Sequence, residues 1–344
     1  MRKLATVRRI DAIQPIPDAD AIECAVVGGW TVVVKKGEYA EGDVAVYCEI
    51  DSWIPHELAP FLSKNQAPRV YESVAGERLR TIRLRGQLSQ GLLLPFTAAM
   101  GIEIGAPPGA KFTDYIGVDV SEMLGIIKWE PPIPAQLGGQ VKGNFPSSIP
   151  KTDQERIQNL SSKLDDWKSR GYHWEITEKL DGTSMTVFLE RDGRFGVCGR
   201  NWDLTETDDN SLWRAARADD IENKLRALGR AIAIQGELIG EGIQGNAYRL
   251  KGQQFWVYDV YDITETRYLS ARERIVLIGS LGLNHVPLIG AGELDADIPT
   301  LLRWAEGKSQ LCSTTEREGL VYKCMEDPGI SFKAISNKFL LKNG

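Results

Sequence analysis

The chain has 344 residues, of which 42% are hydrophobic and 26% charged, as is typical of a soluble globular protein. Its net charge of −6 argues against a surface that binds nucleic acid over its whole extent, but leaves room for a local basic patch. No apolar run reaches the ~18 residues of a membrane span, and the first residues lack the apolar core of a signal peptide. Five cysteines, an odd number without a Cys-x-x-Cys pair, predict a cytoplasmic, reducing location and argue against a disulfide frame. Three scattered histidines argue against a zinc site.

Short strands separated by glycine turns are predicted over roughly the first 120 residues. Because several short strands must hide their edges, we expect a small closed β-barrel, assigned to residues 1–125. The predicted strands are Ile22–Val27, Trp30–Lys35, Asp43–Ile50, Leu79–Arg85 and Leu92–Pro95.

One segment of this region is basic. Between Lys64 and Arg85 the chain holds six basic and two acidic residues, six minus two, or +4. The segment is either a solvated strand face or a nucleic-acid surface. For the second interpretation the candidate contacts are Lys35, Arg83 and Arg85. Trp30 either stacks on a base or, because large aromatics in small barrels usually face inward, belongs to the core.

Prolines and glycines then indicate a linker over residues 126–147, followed by a second domain over 148–344. Thr152 and Glu155 have the spacing of a capping box, which predicts a helix that begins after Thr152 and continues from Arg156 to Trp167. Strands outnumber crossover helices in this region, so we expect an antiparallel α+β domain. Its predicted strands are Tyr172–Lys179, Ser184–Glu190, Phe195–Gly199, Ala231–Leu238, Phe255–Ile263, Gly319–Lys323 and Ser331–Ile335, and its further helices are Ser211–Leu228, Ala271–Leu281 and Pro299–Ala305.

Lys179 is the most informative residue of the chain. It stands in Glu-Lys-Leu-Asp-Gly, where a strand delivers the amine to a tight turn beside the carboxylate of Asp181. Taken alone, the pattern fits a surface lysine before a hairpin as well as it fits a nucleophile. The segments that follow it favour the nucleophile.

Four segments follow Lys179 in a fixed order: Gly199-Arg200-Asn201, Gly236-Glu237-Leu238-Ile239-Gly240, Phe255-Trp256-Val257-Tyr258-Asp259, and Glu318-Gly319-Leu320-Val321-Tyr322-Lys323 with Ser331-Phe332-Lys333. Together they resemble the ordered motifs of the covalent nucleotidyltransferases, which include DNA ligases, RNA ligases and mRNA capping enzymes. In that chemistry a lysine attacks the α-phosphorus of a nucleoside triphosphate. Three carboxylates near a lysine would by themselves raise its pKa, so they make sense if they hold a hydrated divalent cation.

The resemblance implies a role for each matched residue. Lys179, Asp181, Glu237, Glu318 and Lys333 are the expected catalytic residues, and the three carboxylates among them are expected to bind the metal through waters. The expected nucleotide contacts are Glu178, Gly182, Arg200, Phe255, Lys323, Lys333 and Lys338, with Phe255 stacked on the base. Related ligases have a second basic residue where this chain has Ile335, so Lys338 is an alternative for that role.

Little chain follows Lys333, and the predicted barrel precedes the catalytic domain. This order is similar to the fifth family of ATP-dependent RNA ligases, which has an N-terminal OB domain and a C-terminal nucleotidyltransferase domain. The resemblance implies a lysyl-adenylate on Lys179, transfer of AMP to a 5′-phosphate and attack by an RNA 3′-hydroxyl at a nick. It also implies Mn²⁺ or Mg²⁺, RNA ends or a nicked RNA-containing duplex as substrate, no membrane, and a monomer. A DNA nick ligase, a capping guanylyltransferase and a non-catalytic OB-type RNA-binding adaptor remain the alternatives.

Overall fold

The computed structural model describes residues 3–97, 111–130 and 140–343. The chain folds into two compact units. The first unit takes in the described residues up to 130 together with Gln158–Ser162 and residues 340–343, and the second takes in residues 140–157 and Lys163–Phe339. The domain boundaries given above stay a prediction, and residues 131–139 of the predicted linker lie outside the described residues.

The first unit is built from short antiparallel strands. They are β1 (Ala5–Arg9), β2 (Ala12–Pro15), β3 (Ile22–Val27), β4 (Trp30–Lys35), β5 (Val44–Cys48), β6 (Ser52–Pro55), β7 (Arg69–Tyr71), β8 (Val74–Arg78), β9 (Thr81–Leu84), β10 (Gln87–Gln90), β11 (Leu92–Pro95) and β12 (Ile127–Lys128). They pair in the orders β1-β5-β11, β2-β3-β4, β12-β6-β8-β7 and β9-β10. 3-10 helices cover Pro60–Ser63 and Phe112–Tyr115.

Strand β4 shows how the sequence selects the inner face of this unit. Trp30, Val32 and Val34 alternate along the strand and are buried. Because side chains alternate across a strand, this spacing directs all three to one face. The Trp30 indole also donates a hydrogen bond to Asn159 Oδ1 at 2.7 Å. Trp30 is therefore a core residue, the second of its two predicted roles.

The second unit combines two sheets with helices. Its strands are β13 (Val141–Asn144), β14 (Glu155–Arg156), β15 (His173–Lys179), β16 (Thr183–Leu189), β17 (Phe195–Cys198), β18 (Trp202–Leu204), β19 (Ile232–Gly240), β20 (Gln253–Asp262), β21 (Arg267–Tyr268), β22 (Asn284–His285), β23 (Leu288–Glu293), β24 (Gly319–Cys324) and β25 (Ser331–Ile335). The α-helices are α1 (Ser161–Ser169), α2 (Ser211–Ala218), α3 (Ile221–Leu228), α4 (Ala271–Ser280), α5 (Ile298–Ala305) and α6 (Asn337–Asn343), with 3-10 helices at Ile157–Leu160 and Gln244–Asn246. Of these, α1, α6 and the 3-10 helix Ile157–Leu160 include residues of both units. No helix of the described part is long and apolar enough to cross a membrane.

The larger sheet has the order β13-β18-β17-β16-β19-β20-β21, with β22 parallel to β20. The smaller sheet has the order β14-β25-β24-β15-β23, in which only the short β14–β25 pair is parallel. Helices α2, α3 and α4 contribute apolar side chains to the core on one face of the larger sheet. The antiparallel α+β prediction agrees with this arrangement.

The helix predicted to follow the Thr152 cap and continue to Trp167 begins later in the structure than predicted. Thr152 caps no helix, because its hydroxyl pairs with the Tyr258 hydroxyl at 2.9 Å. Glu155 lies in β14, which pairs in parallel with β25. The α-helix begins only at Ser161. Long-range pairing has thus replaced a local capping pattern.

The predicted helix Ser211–Leu228 is two helices. It breaks at Asp219 and Asp220, and Asp220 adopts a left-handed φ of 49°. The first helix starts where expected, because the Asn210 side chain accepts hydrogen bonds from the backbone N–H groups of Leu212 and Trp213. The apolar pattern continues through both helices, so periodicity alone does not reveal the break.

Candidate active site

The smaller sheet positions Lys179. Along β15, Glu175, Thr177 and Lys179 share one face, and the register with β24 places Gly319 opposite Lys179. Glu318 precedes Gly319, so the pairing of two distant segments brings a carboxylate to the lysine. Lys179 Nζ donates to Glu318 Oε2 at 2.6 Å.

The turn after Lys179 is fixed by hydrogen bonds to β19 and to the segment between β19 and β20. The backbone N–H of Gly182 donates to Glu237 Oε1 at 3.1 Å, and that of Asp181 donates to the Tyr248 hydroxyl at 2.6 Å. A Cβ on Gly182 would lie 2.4 Å from the Leu238 carbonyl oxygen, so only glycine fits at this point. The Asp-Gly turn therefore places Asp181 and Glu237 beside the lysine.

Three carboxylates set the charge of Lys179. Burial lowers the pKa of the ammonium, but the charges of Glu318, Glu237 and Asp181, together with the Glu318 hydrogen bond, outweigh burial and raise the pKa above its usual value. As predicted from the sequence, these carboxylates alone disfavour the neutral amine. A neutral nucleophile at this position therefore requires added positive charge near the carboxylates.

The carboxylates also repel one another. Burial, followed by repulsion from Glu318, raises the pKa of Asp181 to about 6. For Glu237, burial raises the pKa to about 8, with Lys179 opposing and the other two acids adding to the rise. A divalent cation bound to such hard oxygen donors would favour their ionised forms. Within the described residues, however, no three His, Cys, Asp or Glu side chains are placed to ligate one ion directly. The set fits a hydrated ion held through waters better than a direct cage.

Asp153 forms ion pairs with two of the basic side chains that are predicted to contact the nucleotide. The sequence patterns assign Asp153 itself no role in the site. Its carboxylate lies 3.2 Å from Arg200 Nη2 and 3.4 Å from Lys333 Nζ. The structure thus brings Arg200 and Lys333 together around one anionic group. The sequence pattern assigns the segment from Thr152 to Asp153 to a helix cap, and this conceals its place in the site.

The assignment of base stacking to Phe255 needs correction. Phe255 is completely buried in the core beneath the larger sheet, where it packs with Met185 and Val257. Tyr258 lies on the other face, with Leu180 and Tyr248. The motif supplies aromatic residues to both faces of β20. The β19–β20 register is irregular at Tyr258, because Gly236 pairs with Val257 and Gln235 with Asp259. A period of two therefore cannot decide which ring faces the site.

Glu178 and Lys338 also lie away from the cluster. Glu178 projects from the opposite face of β15 to Lys179 and accepts a hydrogen bond from the backbone N–H of Gln310 at 2.8 Å. Lys338 is exposed and pairs with Glu306 at 2.9 Å. Beside Lys333, the position that is basic in related ligases is filled by the buried Ile335. These two predicted nucleotide contacts therefore have structural partners elsewhere.

Lys323 is enclosed in a buried ion network. Its Nζ lies 2.5 Å from Asp259 Oδ2 and donates to the Tyr258 carbonyl oxygen at 2.7 Å. Arg274 pairs with Glu175 in the same buried region and lies 3.9 Å from Asp259. Burial lowers the pKa of Lys323, with the Asp259 charge opposing the shift. Lys323 thus holds the strand that carries Tyr258 and does not present an open charge to a phosphate.

The predicted RNA contacts are exposed residues of the first unit. Arg83 and Arg85 lie in the β9–β10 hairpin, and Lys35 ends β4. Two other arginines of the basic segment are paired: Arg69 lies 3.6 Å from Glu77, and Arg78 lies 2.6 Å from Asp51. The positive charge of this segment is therefore concentrated toward the hairpin.

Comparisons with known proteins identify the family of the chain. The family model described as an OB-fold domain matches residues 4–96, and the one described as RNA ligase matches residues 172–339. The comparison with curated proteins found no match.

Solved structures of an RNA ligase from Naegleria gruberi resemble the whole chain. A variant with a glutamate replaced by alanine, with AMP and Mn, is 47% identical and has a TM-score of 0.91, covering 99% of each chain. A variant with a lysine replaced by alanine, with ATP and Mn, is 47% identical with a TM-score of 0.90 and the same coverage. The form with pyrophosphate is 47% identical with a TM-score of 0.89, covering 100% of this chain and 99% of the other. The resemblance found in the motifs is confirmed, and the chain belongs to the RNA ligase family, with an OB-fold domain preceding the ligase domain.

Proposed function

We propose that this ATP-dependent RNA ligase joins a 3′-hydroxyl end to a 5′-phosphate end through an adenylyl group carried on Lys179. The observation that carries the proposal is the Lys179 amine at a strand end, 2.6 Å from Glu318 and within the field of Asp181 and Glu237. The Naegleria structures support ATP as the nucleotide and manganese as a suitable ion, because they include variants with ATP and Mn and with AMP and Mn.

In the first step the neutral Lys179 amine attacks the α-phosphorus of ATP. A nitrogen–phosphorus bond forms, the bond from that phosphorus to the bridging oxygen breaks, and pyrophosphate leaves. At an ordinary pKa, the neutral amine would cost about 4.6 kcal/mol at pH 7. Glu318 Oε2 accepts a hydrogen bond from the amine and is placed to receive its proton.

Asp181, Glu237 and Glu318 would hold Mn²⁺ or Mg²⁺ through its water shell. When bound, the ion supplies positive charge that offsets the carboxylates and favours the neutral amine. The raised pKa values of Asp181 and Glu237 support this fit, because burial and neighbouring acids disfavour their ionised forms and a bound cation would favour them.

Arg200 and Lys333 would neutralise phosphate oxygens of the nucleotide. Both now contact the Asp153 carboxylate, whose oxygens occupy the kind of position that phosphate oxygens would take. The Tyr258 ring, held by the Thr152 hydroxyl, is the candidate for stacking on the base.

Two further transfers complete the reaction. The 5′-phosphate oxygen of one RNA end attacks the phosphorus on Lys179, so the nitrogen–phosphorus bond breaks and an adenylylated end forms. The 3′-hydroxyl then attacks the 5′-phosphorus, AMP leaves and the proton of the hydroxyl is lost. Family membership favours this reaction over DNA nick sealing or capping, and the cluster around Lys179 argues against a non-catalytic adaptor.

The free cysteines support an intracellular, reducing location, and we propose that the protein is a monomer.

The test is incubation with α-labelled ATP and Mn²⁺, followed by mapping of the labelled peptide. We expect the label on Lys179 and none on Lys179→Ala. Lys179→Arg should also remain unlabelled, because a guanidinium stays protonated. Label retained on either variant, or a label that needs GTP, would overturn the assignment. Sealing assays on RNA, DNA and mixed nicks then identify the joined strands.

A further inference from the structure

The β9–β10 hairpin of the first unit is a rigid two-stranded ribbon. Its turn is formed by Arg85 with φ 47° and Gly86 with φ 81°, between the paired residues Leu84 and Gln87. Two consecutive left-handed residues are typical of a type I′ turn, which matches the twist of the strands. The ribbon therefore has one preferred shape at its tip.

The base of this ribbon is fixed to the sheet beside it. The Thr31 hydroxyl donates to the Leu88 carbonyl oxygen at 3.1 Å, and the Val33 backbone N–H donates to Ser89 Oγ at 3.0 Å. Thr81, Ser89 and Gln90 are buried at the base. Because the base is anchored and the tip is not buried, the hairpin projects from the body of the unit.

The tip combines apolar and cationic side chains. Ile82 is 46% exposed and Leu84 is 40% exposed, and they share one face of β9. Arg83 and Arg85 are also exposed. The sequence contains no acidic residue between Glu77 and Glu103. In the described part of the chain, neither arginine forms an ion pair with an acidic side chain. An apolar face beside such arginines is the pattern of a surface that binds an anionic polymer while contacting its less polar parts.

We propose that this hairpin docks in the minor groove of the RNA-containing duplex that the enzyme seals, a proposal that rests on the proposed function. The minor groove of an A-form helix is wide and shallow, and displays ribose groups between two rows of phosphates. Ile82 and Leu84 contact the ribose surface, and Arg83 and Arg85 contact the flanking phosphates. Binding to single strands depends on stacked aromatic side chains, and the sequence has none between Tyr71 and Phe96.

The experiment compares two matched pairs of substitutions in the full-length protein. The test variant combines Arg83→Gln with Leu84→Ser. The control combines Arg69→Gln with Val70→Ser, an adjacent arginine and aliphatic residue of the same unit, with Val70 70% exposed. Binding to a nicked RNA duplex and to a single strand of equal length is measured without ATP, with melting temperatures as a check on folding. We expect the test variant to bind the duplex roughly ten-fold more weakly and the single strand almost unchanged. Equal duplex binding by test and control variants, or equal loss on both RNAs, would overturn the groove proposal.

A third variant separates charge from folding. Arg85→Asn creates an Asn-Gly turn, which favours the same hairpin. We expect an unchanged or higher melting temperature. The slope of the logarithm of the duplex-binding constant against the logarithm of the salt concentration should be smaller by about one unit. An unchanged slope would contradict the Arg85 contact.

Ribose modification tests the groove itself. The wild type should bind a duplex with 2′-O-methyl groups around the nick more weakly than the unmodified duplex. The variant with Arg83→Gln and Leu84→Ser should bind both duplexes equally. If the wild type also binds both duplexes equally, docking in the minor groove is excluded. Labelling by ATP is measured on the same preparations. Absence of labelling in the wild type would refute the proposed function, while the binding results would still report on the hairpin.

Discussion

Glu318 is the carboxylate in direct contact with the predicted nucleophile, so its removal should affect adenylylation more than the removal of an ordinary surface acid. Glu318→Ala takes away the 2.6 Å hydrogen bond and one charge of the proposed metal-binding carboxylates. We expect labelling by ATP to fall by about 10²-fold or more, as for general acid–base groups.

Glu293 provides the control, because it is an exposed glutamate of β23 in the same sheet. Glu293→Ala should label at nearly the rate of the wild type. Similar rates for the Glu318 and Glu293 variants would remove Glu318 from the chemistry.

The raised pKa of Glu237 predicts how stability depends on pH in metal-free protein. The folded state holds the Glu237 proton up to about pH 8, whereas the unfolded chain loses it near 4.5. The free energy of unfolding should therefore fall as the pH rises between these values, by up to a few kcal/mol at ~1.4 kcal/mol per pKa unit. Asp181, raised from 3.8 to about 6, adds to the fall at the lower end of the range.

Glu237→Gln tests this dependence, because glutamine cannot ionise and its oxygen can still accept the Gly182 hydrogen bond. In the presence of EDTA, the variant should melt at a higher temperature than the wild type at pH 8 and close to it at pH 5. Mn²⁺ should stabilise the wild type more at pH 8 than at pH 5, since protons compete for the carboxylates. A pH-independent difference between wild type and variant would contradict the prediction.

The sequence predicts the placement of candidate site residues where that placement follows from local chain geometry. Lys179, Asp181 and Gly182 lie in one strand and turn. Glu237 lies within β19, and Glu318 directly precedes β24. The sequence does not indicate which face of a strand is covered by the core, so it does not show whether Phe255 or Tyr258 faces the candidate site. It also fails for Glu178, which alternates with Lys179 and therefore projects from the opposite face.

At the scale of elements, a buried ion network joins α4 to the strands beneath the site. Arg274 on α4 pairs with Glu175 on β15 and lies near Asp259 on β20, and all three are buried. Removing one partner of a buried pair leaves the other charge uncompensated. Arg274→Met should therefore lower the free energy of unfolding by about 3–5 kcal/mol.

Arg267 is the matched control, because its ion pairs with Glu265 and Glu273 are exposed. Arg267→Met should cost no more than about 1 kcal/mol, the usual range for surface pairs. Chemical denaturation of the two variants measures the difference. Equal losses would show that the network around Arg274 contributes no more than a surface pair.

The strands are predicted more closely than the helices because strand signals here are local and repeated. Ile22–Val27, Trp30–Lys35, Leu92–Pro95 and Ser331–Ile335 have the same bounds in the prediction and in the structure. The start of α1 does not, because Thr152 and Glu155 are used by β20 and β25, which lie more than a hundred residues away in the chain. Such a competition is decided by tertiary pairing, which a capping pattern does not contain.

At the scale of the whole molecule, the candidate residues of adenylyl transfer all belong to the second unit, and the predicted RNA contacts belong to the first. The two functions should therefore separate in a fragment that begins at Phe145. This fragment keeps Asp153, Lys179 and Lys333, but Gln158–Ser162 loses the remainder of its unit. Some loss of stability is expected, so assays belong below the measured melting temperature of the fragment.

We expect the fragment to form the lysyl-adenylate within a few-fold of the full-length rate, because no catalytic candidate is removed. Sealing of nicked RNA should be much slower, and the binding of the fragment to RNA should depend less steeply on salt, since fewer phosphates are contacted. Labelling with ATP, sealing and a salt titration on the same two preparations make the comparison. If the fragment seals nicks as fast as the full chain, the first unit must serve stability or another partner, because RNA engagement would then be provided by the ligase unit alone.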